Sequence, residues 1–371
     1  MPAFTLLATG DVAPRRPVMD DMFDKVRAAL DAGDLVFGQL ETTISERGSP
    51  AANAKLAMRT DPAAAKAIRR AGYDVVSFAG NHCLDWGRDA FFDTLAHSTD
   101  AGLVVCGAGA DVVSARRPAI LEHAGVKVAF LAYSSILPHG YWAEPGRPGC
   151  APMRGLTLYE QVETDQPGTP ARVHTFPHRQ DLAALRADVR AAKAGADIVA
   201  VSLHWGIHFV PSEIADYQRD IARAAIDDGA DMILGHHPHI LKGIEIYKGR
   251  PIFYSLGNFA IEQPQAFDAT ILQSQSFKDL MALNPGIDPM LAFVCPPDSR
   301  KSMIARLTID GGQLVRIAFT PVDINDASEP ETLAPADPRF AAVRDYVEQI
   351  SREQGLATRF RADGADIVVE A

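Results

Sequence analysis

The stretch Gly235-His236-His237-Pro238-His239 carries three histidines within four residues. Histidine is the commonest metal ligand, and its neutral imidazole binds through one ring nitrogen. Pro238 blocks continuation of regular structure and fixes the local backbone. On an extended segment His237 and His239 occupy alternate positions, so their rings point the same way and suit joint coordination. Related groups recur elsewhere. Gly80-Asn81-His82-Cys83-Leu84-Asp85 sets an amide oxygen beside an imidazole, with a carboxylate three residues on. Asn81 and His82 are candidate ligands there, and Asp85 is placed to orient the His82 ring or to act as an acid or base. Asp11 after Gly10, Glu41 before Thr42-Thr43, and His204 before Trp205-Gly206-Ile207-His208 complete the set.

Each candidate follows an apolar run that reads as a buried strand. Residues 3–9 precede Asp11, 34–40 precede Glu41, 73–79 precede Asn81, 197–203 precede His204, and 230–234 precede the histidine cluster. Helices are expected at about 19–32, 62–71, 88–101, 179–194, 212–228 and 338–353, so the class is α/β. In open α/β sheets, ligands bind beyond the carboxyl ends of the strands. Asp11, Glu41, Asn81, His82, His204, His237 and His239 offer nitrogen and oxygen but no thiolate. Such a set suits a divalent ion such as Mn, Zn, Fe, Mg or Ca. One ion would use four to six of these groups; two would share a bridging carboxylate, for which Glu41 is placed. His82 with Asp85, and His236 with Asp11, are candidate acid and base pairs. Asn258 can donate or accept a substrate hydrogen bond, and Arg300 can clamp an anionic group.

The chain has 371 residues, of which 47% are hydrophobic and 22% charged, the composition of a globular protein with a sizeable core. A net charge of -11 argues against nucleic acid as a partner, since phosphate binding needs clustered Lys and Arg. A peptide or small anionic substrate held through a metal remains compatible with that charge. The four cysteines are scattered without a Cys-x-x-Cys pair, which predicts free thiols and a reducing compartment. The first residues lack a signal-peptide pattern, and no stretch has the roughly 20 apolar residues of a membrane span, so a cytoplasmic protein is expected. Residues 134–178 and 260–300 are irregular and rich in Gly and Pro or polar residues. They read as insertions in one domain over 1–325, the first an insertion or lid over the site, with a C-terminal helix and tail over 326–371. Hairpins are expected about Lys248-Gly249 and Asp310-Gly311-Gly312.

With these motifs assembled, the chain resembles the bacterial capsule-synthesis CapA family, within the calcineurin-like metallophosphoesterase superfamily. The resemblance rests on Gly10-Asp11, Leu40-Glu41, Gly80-Asn81-His82 with Asp85 and Gly87, His204-Trp205-Gly206, Gly235-His236-His237-Pro238-His239 and Tyr254-Ser255-Leu256-Gly257-Asn258-Phe259. It implies a two-sheet β-sandwich flanked by helices (αββα), a metal site at the sheet edge, and a link to poly-γ-glutamate synthesis. Val12-Ala13 follow Asp11 where the superfamily has Asp-x-His, and Glu41 replaces its usual aspartate. His208 stands where the family usually has an acidic residue; with Asn258 and Arg300 it is assigned to substrate binding. Three functions fit: a metal-dependent hydrolase of a peptide, polyglutamate or phosphoester, a metal-assisted epimerase of a peptide residue, and a non-catalytic capsule-assembly protein. The hydrolase leads.

Overall fold

The computed structural model describes residues 2–54, 56–262, 273, 275–283, 293 and 295–371. Its two main sheets are built, in chain order, from β1 (Phe4–Ala13), β2 (Leu35–Leu40), β3 (Val75–Ser77), β4 (Val104–Cys106), β5 (Ala119–His123), β6 (Val126–Ser134), β7 (Ile198–His204), β8 (Met232–His236), β9 (Ile244–Tyr247), β10 (Arg250–Phe253), β11 (Asn258–Ile261), β12 (Lys301–Asp310), β13 (Gln313–Ile324), β14 (Pro330–Thr332), β15 (Arg359–Asp363) and β16 (Asp366–Glu370). The first sheet runs β15-β16-β13-β12-β1-β2-β3-β4, with β11 on β1 and β14 on β13; the second runs β9-β10-β8-β7-β6-β5. Within them β1-β2-β3-β4 and β6-β7-β8-β10 are parallel. Parallel strands covered on both faces read as near-continuous apolar runs, which is why β2, β7 and β8 are buried throughout.

The sheets pack face to face. Phe37 of β2 and Phe130 of β6 stack across the interface with ring centroids 5.5 Å apart. Leu6, Ala8, Val128, Ala200, Leu234 and Leu307 fill the same layer. A fully buried side chain of this size contributes about 1.5–3 kcal/mol. Alternate residues of the second sheet, among them Leu131, Val199, Val201 and Ile233, point outward onto two helices, α3 (Arg179–Gly195) and α4 (Asp216–Asp227), through Leu185, Val189, Ile221 and Ala225. Two earlier helices, α1 (Ala63–Arg70) and α2 (Gly87–Asp100), supply Ala64, Ala67, Ile68 and Phe91 to the core of the first sheet, and a last helix, α5 (Pro338–Glu353), adds Phe340, Val343, Val347 and Ile350. The fold is the expected helix-flanked sandwich.

Several elements differ from expectation. The helix expected over 19–32 is two short pieces, Asp20–Phe23 and Arg27–Leu30, because β-branched Val26 sits at φ -119° between them. Residues 134–178 divide in two. Tyr141, Cys150, Ala151 and Met153 are buried in the body of the protein. Gly155–Glu160 and Arg172–Pro177 then form a two-stranded hairpin on α4, where Thr175 accepts from the Tyr217 amide. The helix expected from residue 212 starts at Asp216. The tail pairs through β16 with β13 and so joins the first sheet. Much of 260–300 lies outside the described residues. All four cysteines are buried and outside any disulfide among the described residues. Among the described residues no helix is long and apolar enough to cross a membrane.

The joint between the sheets is made of backbone against backbone. The segment Tyr254–Gly257 lies between β1 and β8, with Asp11 N donating to Gly257 O at 3.0 Å and Leu256 N to Gly235 O at 2.9 Å. A Cβ on Gly10 would lie 2.0 Å from Gly257 O, and one on Gly235 would lie 2.2 Å from Tyr254 O. No side chain fits at either place. Gly10→Ala should therefore destabilise by about 1–3 kcal/mol or more, the usual range for overpacking. Gly195→Ala, with nothing within 4 Å of its Cβ position, is the control and should be neutral or slightly stabilising. Denaturant midpoints of the two variants measure the difference; equal midpoints would refute the joint.

Candidate metal centre

Strand ends of both sheets meet at the joint. β1 changes register on each side of Asp11, between Ala8 and Asp11 against β2 and between Asp11 and Val12 against β11. Such irregularities bend a strand and re-aim a side chain. Asp11 is thereby a fully buried carboxylate in mid-strand rather than at the end of one. Its Oδ1 lies 3.5 Å from His236 Nδ1 and its Oδ2 3.3 Å from His239 Nδ1. Glu41, just past β2, has Oε2 3.5 Å from His204 Nδ1 and Oε1 3.7 Å from His82 Nε2. One ligand atom from each of Asp11, Glu41 and His204 falls within a 4.8 Å cluster.

The electrostatics are those of a cation site. Neither oxygen of Asp11 or Glu41 has a hydrogen-bond donor, and His204 Nδ1 and His237 Nδ1 are also unpartnered. Buried carboxylates left without donors are costly unless a cation or other positive group pairs with them. Burial works against ionisation of Asp11, but the facing rings of His236 and His239 outweigh it and hold the carboxyl well below the usual range. Burial, reinforced by the charges of Asp11 and Asp85, pushes Glu41 well above that range. Burial also holds the His204 and His237 imidazoles well below their ordinary value, so both are neutral and keep a lone pair. Two carboxylates and a neutral imidazole fit a divalent ion.

Outer partners fix the rings. Asn258 Oδ1 lies 2.7 Å from His239 Nδ1 and Asn81 Oδ1 2.6 Å from His204 Nε2. An amide oxygen only accepts, so those nitrogens carry the protons. His204 thus turns Nδ1 toward Glu41. Asn81, expected as an oxygen ligand, here orients that ring. Asp85 Oδ2 lies 2.5 Å from His82 Nδ1 and accepts from Met58 N at 2.7 Å, while Oδ1 accepts from Tyr141 OH at 3.0 Å. Asn258 is a buried positioning group in this arrangement, not a surface for substrate.

Three expectations are corrected. His237 and His239 do not lie on an extended segment: their φ values are 95° and 57°, in the left-handed region. Pro238, whose carbonyl accepts from Phe209 N at 3.0 Å, sits between the two bends. The rings still approach one centre, with His237 4.9 Å from His204 between centroids. His236 is wholly enclosed behind Asp11, 6.0 Å from the Phe37 ring, so it positions a carboxylate and exchanges no proton with a substrate. Arg300 is committed to Ile324 O at 2.9 Å and Asp326 Oδ1 at 2.8 Å, over the Phe293 ring, and is not among the groups gathered here. Of the histidines in 134–178, His178 caps α3 and His174 pairs with Glu160. His208 stacks on His237, with centroids 3.9 Å apart, and so belongs to the centre. Sequence reading missed Tyr141, which sits in an irregular stretch without a signal.

Two helix-flanked sheets with carboxylates, imidazoles and an amide gathered at their strand ends define the calcineurin-like metallophosphoesterase type. Residues 5–263 match the family described as "Bacterial capsule synthesis protein PGA_cap", and the chain belongs to that family. "PGA biosynthesis protein CapA" of Bacillus subtilis (strain 168) is 30% identical over 246 residues, 66% of this chain and 57% of that protein. "Capsule biosynthesis protein CapA" of Bacillus anthracis is 28% identical over 270 residues, 70% of this chain and 60% of that protein. The chain spans about three fifths of the length of these curated relatives. A hypothetical protein from Thermus thermophilus superposes with a TM-score of 0.44 at 18% identity, over 89% of this chain and 98% of that chain.

A cation that binds only the folded state raises stability by RT ln(1 + [L]/Kd), about 2.7 kcal/mol at a hundredfold excess over Kd. Chelator-treated protein should therefore gain several degrees in Tm on adding Mn or Zn. Asp11→Asn should lose that gain while still folding. An unchanged metal-induced shift in Asp11→Asn would remove Asp11 from the ligand set.

Proposed function

We propose that this chain is a metal-dependent hydrolase acting on a peptide, polyglutamate or phosphoester bond in poly-γ-glutamate or related capsule synthesis. The observation that carries the reading is the His82–Asp85 pair standing beside the donor-less carboxylates Asp11 and Glu41. Membership of the capsule-synthesis family supports the biological setting.

When bound at Asp11, Glu41 and His204, with His237 and His239 against them, a divalent ion supplies Lewis-acid polarisation of the scissile group. The protein's own residues do the rest. Asp11 and Glu41 turn their carboxyl oxygens into a dry floor. His82, 14% exposed at its side chain, stands between that floor and solvent. Asp85 is acceptor-only as a carboxylate, so His82 Nδ1 carries the proton and Nε2 faces Glu41 and the substrate side. Tyr141 OH and Met58 N hold Asp85 so that it stabilises the imidazolium. In that form Nε2 can deliver a proton to a leaving group. Asn81 and His208, both partly exposed, line the approach for a peptide or small anionic substrate.

The test is turnover by purified full-length protein, loaded with Mn, Zn or Ca, on model phosphoesters, γ-linked glutamyl peptides and polyglutamate. Asp85→Asn should keep its metal and lose about 10²–10⁴ in rate, the usual weight of one positioned acid or base. A metal-free Asp85→Asn protein would make Asp85 a ligand. Full activity of the metal-loaded variant would make it a structural cap. Absence of turnover on all three substrate classes by metal-loaded wild type would favour a capsule-assembly role instead.

A further inference from the structure

We propose that Cys83 and Cys150 form a dithiol that closes to a disulfide when a disulfide oxidant is present, and that the bond locks the turn bearing His82 and Asp85 onto the segment bearing Tyr141. Neither a metal nor hydrolysis enters this step. Both cysteine side chains are fully buried. They converge on one carbonyl: Cys83 Sγ donates to Tyr141 O at 3.8 Å, and Cys150 Sγ donates to the same oxygen at 3.6 Å and to Gly80 O at 3.9 Å. The thiols also face each other, since after burial itself the neighbouring Cys150 thiol does most to raise that of Cys83. A disulfide needs two side chains that point toward one another, and these two do. Cys106 and Cys295 have other neighbours: Cys106 Sγ donates to Val76 O at 3.7 Å, and Cys295 lies beside Asn258.

The two cysteines sit on the parts that the bond would join. Cys83 lies in the turn that starts at Gly80, where Cys83 N donates to Gly80 O at 3.3 Å and Asp85 N to His82 O at 3.4 Å. Cys150 is tied to the Tyr141 segment through the backbone: its N donates to Tyr141 O at 3.0 Å, and Ala143 N donates to its O at 2.9 Å. Tyr141 OH reaches across to Asp85 Oδ1 at 3.0 Å, and Asp85 in turn faces His82 Nδ1. A covalent bond beside these contacts holds both sides in one register. Apart from Tyr141 and Ala143, residues 135–147 are partly exposed, with His139, Pro145 and Gly146 at the surface. Local opening of that segment is the route by which an oxidant reaches the thiols. One cysteine, as thiolate, then attacks the oxidant's disulfide, forms a mixed disulfide and releases one small thiol; the other cysteine displaces the second small thiol. Two cysteine S–H bonds give way to one Sγ–Sγ bond, and the oxidant's S–S bond becomes two S–H bonds, so atoms and electrons balance. In a reducing compartment the exchange runs backward and the pair stays as thiols.

The experiment treats reduced full-length protein with glutathione disulfide, once folded and once during refolding from urea, then alkylates the remaining thiols and maps the cysteines by mass spectrometry. Wild type should lose two hydrogens and yield a peptide crosslinked between Cys83 and Cys150, with Cys106 and Cys295 alkylated. Cys83→Ala and Cys150→Ala should yield no crosslink, and Cys106→Ala should yield the wild-type one. In the crosslinked protein, amide exchange over 139–150 should slow roughly tenfold or more, and Tm should rise by several degrees. Dithiothreitol should reverse both changes. Alkylation of Cys83 and Cys150 after both treatments would overturn the proposal. A crosslink through Cys106 or Cys295, or a glutathione adduct that never resolves, would do the same. A Cys83–Cys150 bond with unchanged amide exchange would overturn the lock. None of these readouts needs turnover or bound metal, so their failure leaves the hydrolase reading standing, and failure of that reading leaves them in force.

Discussion

The structure depends on one close approach, the passage of Tyr254–Gly257 between the ends of β1 and β8. Three glycines make it possible. Gly10 and Gly235 remove the side chains that would strike the passing carbonyls, and Gly257 takes φ 70° so that the chain can turn onto β1. The segment is hydrogen-bonded to each sheet in turn, through Asp11 N and Gly235 O. Asn258 is then delivered opposite Asp11 in the β1–β11 register and reaches His239. Without this wedge the carboxylate of one sheet and the imidazoles of the other would have no fixed relation.

What the wedge brings together is unfavourable by itself. Asp11 and Glu41 are enclosed without donors, neutral imidazoles keep unpartnered nitrogens, and His237, His239, Phe209 and Ser212 occupy a backbone region that L-residues avoid. Such costs persist only where the surroundings over-determine them. Here the surroundings are a two-sheet core with Phe37 on Phe130 and fully buried strands on either side. The polar partners sit one layer out: Asn81, Asn258, and Asp85 with Tyr141 and Met58. Each fixes a ring or a carboxylate, and none supplies the positive charge that Asp11 and Glu41 lack.

Much of this was legible in the sequence, for a definite reason. Parallel strands covered on both faces are written as unbroken apolar runs, and a polar residue just beyond such a run is conspicuous. Glu41, Asn81-His82, His204 and His236–His239 were visible in that way. Asp85, three residues past His82, was visible as its orienting partner. The backbone at the histidine cluster was not. Pro238 suggested extended geometry, but the close approach at Gly235 and the Phe209–Pro238 bond bend the chain on both sides of it. Nor does an apolar run record which polar neighbour faces inward, so His236 looked like a base and proves to be sealed behind Asp11. Long-range pairings leave no local mark: Tyr141 with Asp85, and β16 with β13, join residues far apart in the chain. The hairpin at 155–177 hid because its apolar residues, Leu156, Leu158 and Phe176, are exposed and so do not alternate with a buried face.

The site is graded from dry to wet, and the gradient sorts its members by role. Asp11, His204 and His236 are wholly buried and Glu41 nearly so, and groups in that floor can hold an ion but cannot exchange with solvent. His82 and His239, with side chains 14% and 12% exposed, stand at the rim beside partly exposed Asn81 and His208. Proton transfer to a substrate needs a group that the substrate can touch, which confines it to the rim. Of these two, His82 has a carboxylate dedicated to it, since Asp85 bonds no other ring among the described residues. His239 is tied instead to an amide and to the floor through Asp11. An imidazole backed by a carboxylate is stabilised when it becomes charged, and one backed by an amide oxygen is held neutral with a lone pair to give. Two histidines at one rim thereby differ in what faces them, His82 a carboxylate and His239 an amide oxygen together with the floor.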